Sequence, residues 1–288
     1  MSFEQAMGTV MPWTVAVEAL AALGAELALT EAGTGDPRVL DALRAVSRAA
    51  GIEGLDEIPP PQRGAMLGVI RSTLRQAADL IDHADQPAGW AYTDPDILDG
   101  WGRGSAMVPA MLANIAPEIG DVTSLLDIGT GVGLLAVSAT TAWPKASVVG
   151  IDVWEPSLAR ARANVAAAGL EDRVSLRTQD IAELEDVDAY DCVWFPTFFF
   201  TDAAVASALT ALARATRSGG WIVLGRLVPA PSPLGAATLA LRTARSGGEN
   251  LSPERTAELL HAAGCTNVRE VAAPPPVPMS FTIGQLPA

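Results

Sequence analysis

The pattern of apolar and polar positions divides the chain into a helical first part and an alternating second part. In the first part, apolar residues recur at helical spacing over 12–31, 36–51 and 63–83, which predicts three helices before any strand. From Leu125 onward, short apolar runs alternate with helical stretches. That alternation predicts an α/β fold, with a doubly wound parallel sheet that carries helices on both faces.

The two parts are predicted to be separate domains that meet near residue 104. Residues 1–104 would form a helical cap over the ligand cleft and a surface for dimerisation, and residues 105–288 would form the catalytic domain. The junction reads GWAYTDPDILDGWGR and concentrates aromatic and polar residues. In it Asp94 precedes a proline and is typical of a helix cap, and a further helix is predicted over 105–115.

A glycine-rich turn is the strongest functional signal in the alternating part. The stretch LLDIGTGVGLLA ends an apolar run in Asp127 and then places glycines at 129, 131 and 133. Glycine lacks a Cβ, so the backbone can take positive φ there and a ligand can lie directly against it. The dinucleotide fingerprint would need glycine where Leu134 stands, and a phosphate-binding loop would need Gly-Lys-Ser/Thr after the glycines. Both NAD and ATP are therefore disfavoured.

Four further segments follow the glycine turn in a fixed order. A second apolar strand, ASVVGID, ends in Asp152, 23 residues after Gly129. The segments RVSLRTQDI, YDCVWFP and SGGWIVLG come next. With D-x-G-x-G-x-G in front, this set resembles the class I S-adenosylmethionine-dependent methyltransferases over roughly residues 100–288. The closing segments VREVAA and MSFTIGQL, on either side of a proline run at 274–276, resemble the family's last strand pair.

The resemblance implies a seven-stranded Rossmann-like sheet and S-adenosyl-L-methionine as the cofactor. In the family, the glycine turn lies under the methionine and ribose, Asp127 lies near the amino-acid end, and Asp152 takes the ribose hydroxyls. Asp180 and Ile181 occupy the place that clasps the adenine, and Arg103 resembles an element that holds the cofactor carboxylate, a surface salt bridge being the alternative. The residues expected at the cofactor are Arg103, Asp127, Gly129, Thr130, Gly131, Gly133, Asp152, Val153, Trp154, Asp180, Ile181 and Trp194.

Methyl transfer from a sulfonium can draw much of its rate from alignment and exclusion of water, so a general base is optional. The catalytic candidates are His83 as a base and Tyr92, whose ring would stack on a flat or cationic substrate. The alternative for His83 is a favourable interaction with a helix C-terminus, and the alternative for Tyr92 is packing between cap and core. No metal site is predicted.

The acceptor is expected to be a small, largely apolar molecule of secondary metabolism, with oxygen slightly ahead of carbon or nitrogen. Relatives that methylate amino groups carry Asn/Asp-Pro-Pro-aromatic at the end of the fourth strand, where this chain has Trp194-Phe195-Pro196-Thr197. The following Phe198 to Phe200 favour an apolar partner. The alternative is a protein of this fold that binds the cofactor without transferring its methyl group and serves a cyclisation or structural role.

Composition narrows the partners and the compartment. A net charge of −14 repels phosphate backbones, so nucleic acid is not expected to bind. The apolar run at 13–29 contains Glu18 and Glu26, which predicts an amphipathic helix of a soluble protein and no membrane span. No basic segment precedes this run, so a cytoplasmic protein is expected, with a small-molecule substrate and a homodimer as its assembly. The two cysteines, Cys192 and Cys265, are interpreted as buried thiols.

Overall fold

A computed structural model of the chain describes residues 1–275 and 277–288. Pro276, the last residue of the proline run, lies outside the described residues. The chain forms two compact units. The first comprises residues 1–84 and 94–101, and the second comprises residues 85–93 and 102–288.

The first unit is helical, as the sequence predicts. Its helices are α1 (Phe3–Ala32), α2 (Pro37–Ala49), α3 (Pro60–Asp82) and most of α4 (Pro95–Ser105). The predicted start of α1 at residue 12 is wrong because Ser2 and Gln5 form a capping box at the chain start. Pro12 lies inside the helix, where the carbonyl that it leaves unbonded, on exposed Gly8, can reach water. Gly33 ends α1 in a left-handed conformation with φ of 62°.

Only the second half of α1 packs in a core. Leu23 and Leu27 are buried against Leu67 and Ile70 of α3, whereas the large apolar side chains from Phe3 to Val17 are exposed. An 18-residue window of α1 has a mean hydropathy of 1.4, and 6% of it is buried. By length and composition alone α1 is therefore long and apolar enough to cross a membrane, although Glu18 and Glu26 led to the prediction of no membrane span. Core helices and signal sequences meet the same criterion, so this is weak evidence for a membrane span.

The second unit alternates strands and helices. Its strands are β1 (Ser124–Ile128), β2 (Ser147–Asp152), β3 (Val174–Thr178), β4 (Tyr190–Pro196), β5 (Thr216–Leu227), β6 (Thr266–Ala272) and β7 (Met279–Gln285). Its helices, besides the end of α4, are α5 (Val108–Ile115), α6 (Leu134–Ala142), α7 (Glu155–Ala167), α8 (Asp202–Ala215), α9 (Pro233–Arg245) and α10 (Pro253–Ala262).

The predicted fold class is confirmed. The seven strands form one sheet in the order β3-β2-β1-β4-β5-β7-β6, with β7 antiparallel to β5 and to β6. The chain leaves β1 toward β2 and β3 and then returns to add β4 on the other side of β1. Such a reversal of direction opens a crevice at the carboxyl ends of the strands, which is the usual ligand site of open α/β sheets.

Alternating strand residues build a core on each face of the sheet. Leu125 packs with α5 and α6 on one face, and Leu126 packs with α8 and α10 on the other. The helix predicted over 105–115 is present as α5, but its predicted start is wrong, because α4 ends at Ser105 and α5 begins at Val108 with Pro109 in its first turn. The predicted cap at the start of α4 is confirmed, since Asp94 Oδ1 accepts the N–H of Asp96 at 2.8 Å.

The amino ends of three strands are joined by one carboxylate. Asp191 at the start of β4 accepts the backbone N–H groups of Thr123 and Ser124 at 2.8 and 3.0 Å. It also accepts Arg217 Nη1 of β5 at 2.6 Å. Partial burial raises the pKa of Asp191, but the hydrogen bonds from Thr123 and Arg217 outweigh it and hold that pKa below its ordinary value. This group, which we call the Asp191 junction, lies at the amino ends of the strands, opposite the crevice.

Candidate active site

The glycine turn lies at the carboxyl end of β1, next to the reversal in strand order. Gly129, Gly131 and Gly133 have φ of 64°, 56° and 74°, as the sequence predicts. A Cβ added to Gly129 or Gly131 would meet nothing closer than 3.9 Å. The glycines at these two positions therefore serve the backbone conformation and leave one side of the turn open to a ligand.

Two close contacts hold the turn from outside. Gly133 faces Ala161 of α7, and a Cβ on the glycine would lie 3.0 Å from the alanine Cβ. Gly102 of α4 has no room for a Cβ at all, because Val132 Cγ2 fills that position. The predicted cofactor residue Arg103, which is exposed, follows Gly102 directly in the chain. Sequence reasoning missed Gly102, although Gly-Arg-Gly is visible in the predicted junction.

Asp152, at the end of β2, is tied to the turn. Its Oδ2 accepts the N–H of Gly131 at 2.8 Å, and its Oδ1 accepts the N–H of Trp154 at 2.8 Å. Burial raises the pKa of the Asp152 carboxyl, although these two N–H groups act in the opposite direction. Each carboxylate oxygen has more than one lone pair, so both can still accept hydrogen bonds from a ligand. Its role at the ribose remains a prediction.

Asp127 is more deeply buried than Asp152. Its exposed fraction is 1%, and its Oδ2 accepts the hydroxyl of Thr130 at 2.7 Å. Burial raises the pKa of Asp127 to about 7, with a further rise from the charge of Asp152 and an opposing effect of the Thr130 hydrogen bond. A cation nearby would favour the charged form of this carboxylate.

The predicted adenine residues follow β3. Asp180 is exposed, and its Oδ1 accepts the N–H of Ala182 at 2.8 Å, which caps a short 3-10 helix. Ile181 is half-buried against the core. Val153, the residue after Asp152, keeps 63% of its surface exposed. These residues follow the carboxyl ends of the neighbouring strands β2 and β3. They therefore lie at the same end of the sheet as the glycine turn.

An aromatic segment passes over the strand ends within the second unit. Trp90 packs edge-on against Tyr92 and Phe199, with ring centroids 5.1 and 5.2 Å apart. The Trp154 indole N–H donates to the carbonyl oxygen of Tyr92 at 2.8 Å. The N–H of Gly89 donates to the carbonyl of Arg245 at 2.9 Å. We call residues 85–93 the aromatic segment. The sequence analysis indicated an aromatic junction over residues 89–103 without indicating its partners.

Two further predicted residues are Trp194 and His83. The Trp194 ring is 4% exposed, packs against Phe281 in the core and leaves no room for a Cβ on Gly225. A direct contact of this ring with a cofactor remains a prediction. His83 follows α3 in the first unit, where its Nδ1 lies 3.0 Å from Asp79 Oδ1 and its ring is largely exposed. Among the described residues, no group of three or more metal-ligating side chains is present.

The residues at the strand ends fit a ligand such as S-adenosylmethionine. The open side of Gly129 and Gly131 can receive a ligand against the backbone. Asp127 and Asp152 supply negative charge beside that space, which suits a sulfonium and an ammonium group. The chemistry of the site is thus electrostatic binding and alignment of a cationic ligand.

Comparison with known proteins identifies the central region. Residues 125–220 match the family model described as a methyltransferase domain. The ribosomal protein uL3 glutamine methyltransferase of Bordetella pertussis is 40% identical over 82 residues, 27% of this chain and 28% of that protein. The 27-O-demethylrifamycin SV methyltransferase of Amycolatopsis mediterranei is 34% identical over 124 residues, 43% of this chain and 45% of that protein. The chain thus matches less than half the length of these curated relatives.

Solved structures match over nearly the whole length. An O-methyltransferase family protein from Burkholderia thailandensis superposes with a TM-score of 0.71 and 14% identity, covering 99% of this chain and 98% of that one. The mitomycin 7-O-methyltransferase has a TM-score of 0.64 and 18% identity, with 98% of each chain covered. At such identities these matches support the fold, including its helical first part.

Proposed function

We propose that the chain, whose residues 125–220 match a methyltransferase domain, transfers a methyl group from S-adenosylmethionine to a small, largely apolar molecule. The observation that carries the proposal is the glycine turn with Asp152 bonded to it, open on one side and flanked by two carboxylates. Titration calorimetry with S-adenosylmethionine tests the cofactor, and transfer of a labelled methyl group to candidate acceptors tests the reaction. Absence of cofactor binding by the folded protein would refute the proposal.

The chain's own residues would bind and align the reactants. The cofactor supplies an electrophilic methyl group when bound. Gly129 and Gly131 offer a backbone surface, Asp152 offers acceptors for the ribose hydroxyls, and Asp180 offers one for the adenine amino group. Exclusion of water and in-line alignment supply rate without a base. Tyr92 and His83 stay the catalytic candidates, Tyr92 having the better position because it belongs to the aromatic segment beside Trp154.

The acceptor is proposed to be flat and apolar, with oxygen as its methylated atom. Trp90, Tyr92 and Phe199 place ring edges and faces at the strand ends, where they can pack on a planar molecule. The rifamycin relative is named for a 27-O-demethyl substrate, and the mitomycin enzyme is named a 7-O-methyltransferase. Carbon or nitrogen methylation, or a cyclisation without transfer, is the alternative outcome of the same assay.

Methylation of tRNA is the second candidate, because relatives include the tRNA1(Val) (adenine(37)-N6)-methyltransferase of Bacteroides thetaiotaomicron, 32% identical over 80 residues, 27% of this chain and 34% of that protein. The net charge of −14 opposes it. So does Phe195, which has no hydrogen-bonding side chain to hold an exocyclic amino group. Labelled-methyl assays on bulk tRNA, protein extract and a small-molecule extract run in parallel separate the candidates.

We further propose that the chain forms a homodimer in the cytoplasm and that its first unit serves both dimerisation and acceptor binding. Met11, Trp13, Val15 and Val17 of α1 are all more than half exposed, an apolar surface that a second copy can bury. Light scattering on Trp13→Glu measures the assembly. A truncated chain that keeps full transfer activity would refute the role in acceptor binding.

A further inference from the structure

Thr130 is the one side chain between the first two glycines of the turn, and it is directed into the protein. Its exposed fraction is 5%, although Gly129 beside it is exposed. Its N–H donates to the carbonyl of Ile151 at 3.0 Å, and its own carbonyl accepts the N–H of Gly133 at 2.9 Å. The backbone of Thr130 therefore joins the turn to β2 and closes the turn on itself.

The Thr130 side chain fits a space that another glycine leaves free. A Cβ on Gly150 of β2 would lie 2.6 Å from Thr130 Oγ1 and 2.9 Å from Thr130 Cβ. Gly150 pairs with Asp127 in the sheet, and Asp127 Oδ2 accepts the Thr130 hydroxyl at 2.7 Å. The missing side chain at 150 thus lets the hydroxyl reach the buried carboxylate.

The Thr130 hydroxyl is the side-chain donor that the structure gives Asp127. The sheet neighbours of Asp127 are Gly150 on β2 and Trp194 on β4, neither of which titrates at neutral pH. The charged group that influences it is Asp152, whose negative charge disfavours a second charge. A buried carboxylate that loses its donor is strongly biased toward the neutral form.

We propose that Thr130 is a positioning residue for cofactor binding, because its hydroxyl stabilises the charged form of the Asp127 carboxylate and fixes it beneath the glycine turn, where a cationic ligand would bind. The inference rests on the proposed function. In this proposal the hydroxyl of Thr130 acts on the charge of Asp127. A purely space-filling role would instead depend on the methyl group of Thr130.

The test compares Thr130→Ser, which keeps the hydroxyl, with Thr130→Val, which keeps the shape. The probe is S-adenosylmethionine in calorimetry between pH 6 and 8, and comparison in the same buffers cancels titration of the ligand itself. Thr130→Ser should bind within about threefold of the parent, and Thr130→Val should bind about tenfold or more weakly at pH 7, since a hydrogen bond to a charged group is lost. The ratio of the Thr130→Ser affinity to the Thr130→Val affinity should become smaller as pH rises, because Asp127 of Thr130→Val is then charged even before the ligand binds.

Asp127→Asn completes the test. Adding Thr130→Val to this variant should cause no further loss, and the ratio of parent to Asp127→Asn affinity should grow from pH 6 to pH 8. If Thr130→Ser and Thr130→Val lose affinity equally, and their pH dependence matches that of the parent, the inference is overturned and Thr130 acts through packing. If Thr130→Val does not fold, a pH-independent ratio for Asp127→Asn overturns it instead. A parent protein that binds no S-adenosylmethionine refutes the proposed function, which is a separate outcome.

Discussion

At the residue scale, Asp152 has a structural task, and binding of the ribose is proposed for the same carboxylate. It holds Gly131 and Trp154 by their N–H groups and keeps lone pairs that a ligand can use. Replacing it by alanine should lower the affinity for S-adenosylmethionine by about tenfold or more, as charge-assisted hydrogen bonds are lost. Asp121→Ala, which removes an exposed acid paired with Lys145, is the matched control. Calorimetry that finds the same affinity for both variants would contradict the ribose assignment.

Asp127 gives a residue-scale prediction about stability. Its pKa of about 7 in the folded chain lies above the ordinary value of 3.8, so the folded state binds more protons than the unfolded state between these pH values. The free energy of unfolding should therefore fall, through this group, as pH rises toward 7. The free energy of unfolding of Asp127→Asn, relative to that of the parent, should therefore be higher at pH 8 than at pH 5. Urea unfolding of both proteins at the two pH values measures this difference, and the same difference at both pH values would contradict the prediction.

At the element scale, the end of α4 can contact the glycine turn because Gly102 has no Cβ. Gly102→Ala would overlap Val132, so α4 or the turn must shift, and cofactor affinity should fall severalfold. Gly104→Ala on the same helix meets nothing within 4 Å and should leave binding unchanged. Calorimetry and thermal unfolding on the pair distinguish a displaced turn from a general effect of alanine. Equal behaviour of the two variants would show that the contact is unimportant.

A second element-scale prediction concerns the aromatic segment. Trp154→Phe keeps a ring but removes the N–H that holds the Tyr92 carbonyl. Amide hydrogen exchange over residues 88–93 should become faster, while binding of S-adenosylmethionine stays close to that of the parent. Unchanged exchange together with weakened binding would instead assign Trp154 to the cofactor, as the sequence predicts.

The sequence predicted those features whose signal is local. Three alternate glycines after an apolar run gave the positive φ values, and alternating runs gave the sheet. It failed where the cause lies far along the chain. Gly102 meets Val132 and Trp154 meets Tyr92 across 30 and 62 residues, and no local pattern indicates such pairs. The predicted start of α1 at residue 12 was wrong because the capping box of Ser2 and Gln5 begins the helix at Phe3, with Pro12 inside it.

At the scale of the whole molecule, the Asp191 junction predicts a loss of stability that spares binding. Asp191→Ala removes the acceptor for Thr123, Ser124 and Arg217, and of these donors the part-buried N–H of Ser124 loses its partner at the greatest cost. The unfolding temperature at pH 7 should fall by several degrees. This loss should shrink as pH falls through the lowered pKa of Asp191, where the parent carboxylate is protonated too. Affinity for S-adenosylmethionine, measured well below the new unfolding temperature, should be unchanged.

The position of the Asp191 junction also has a consequence for protein engineering. A search for variants that accept a new substrate would alter the aromatic segment and the loops at the carboxyl ends of the strands, and most such changes weaken a fold. The amino ends of β1, β4 and β5 meet at the opposite edge of the sheet and share no hydrogen bond of the junction with the glycine turn. Stabilising substitutions can therefore be selected near the Asp191 junction in a separate step, and they should leave a newly acquired substrate specificity unchanged.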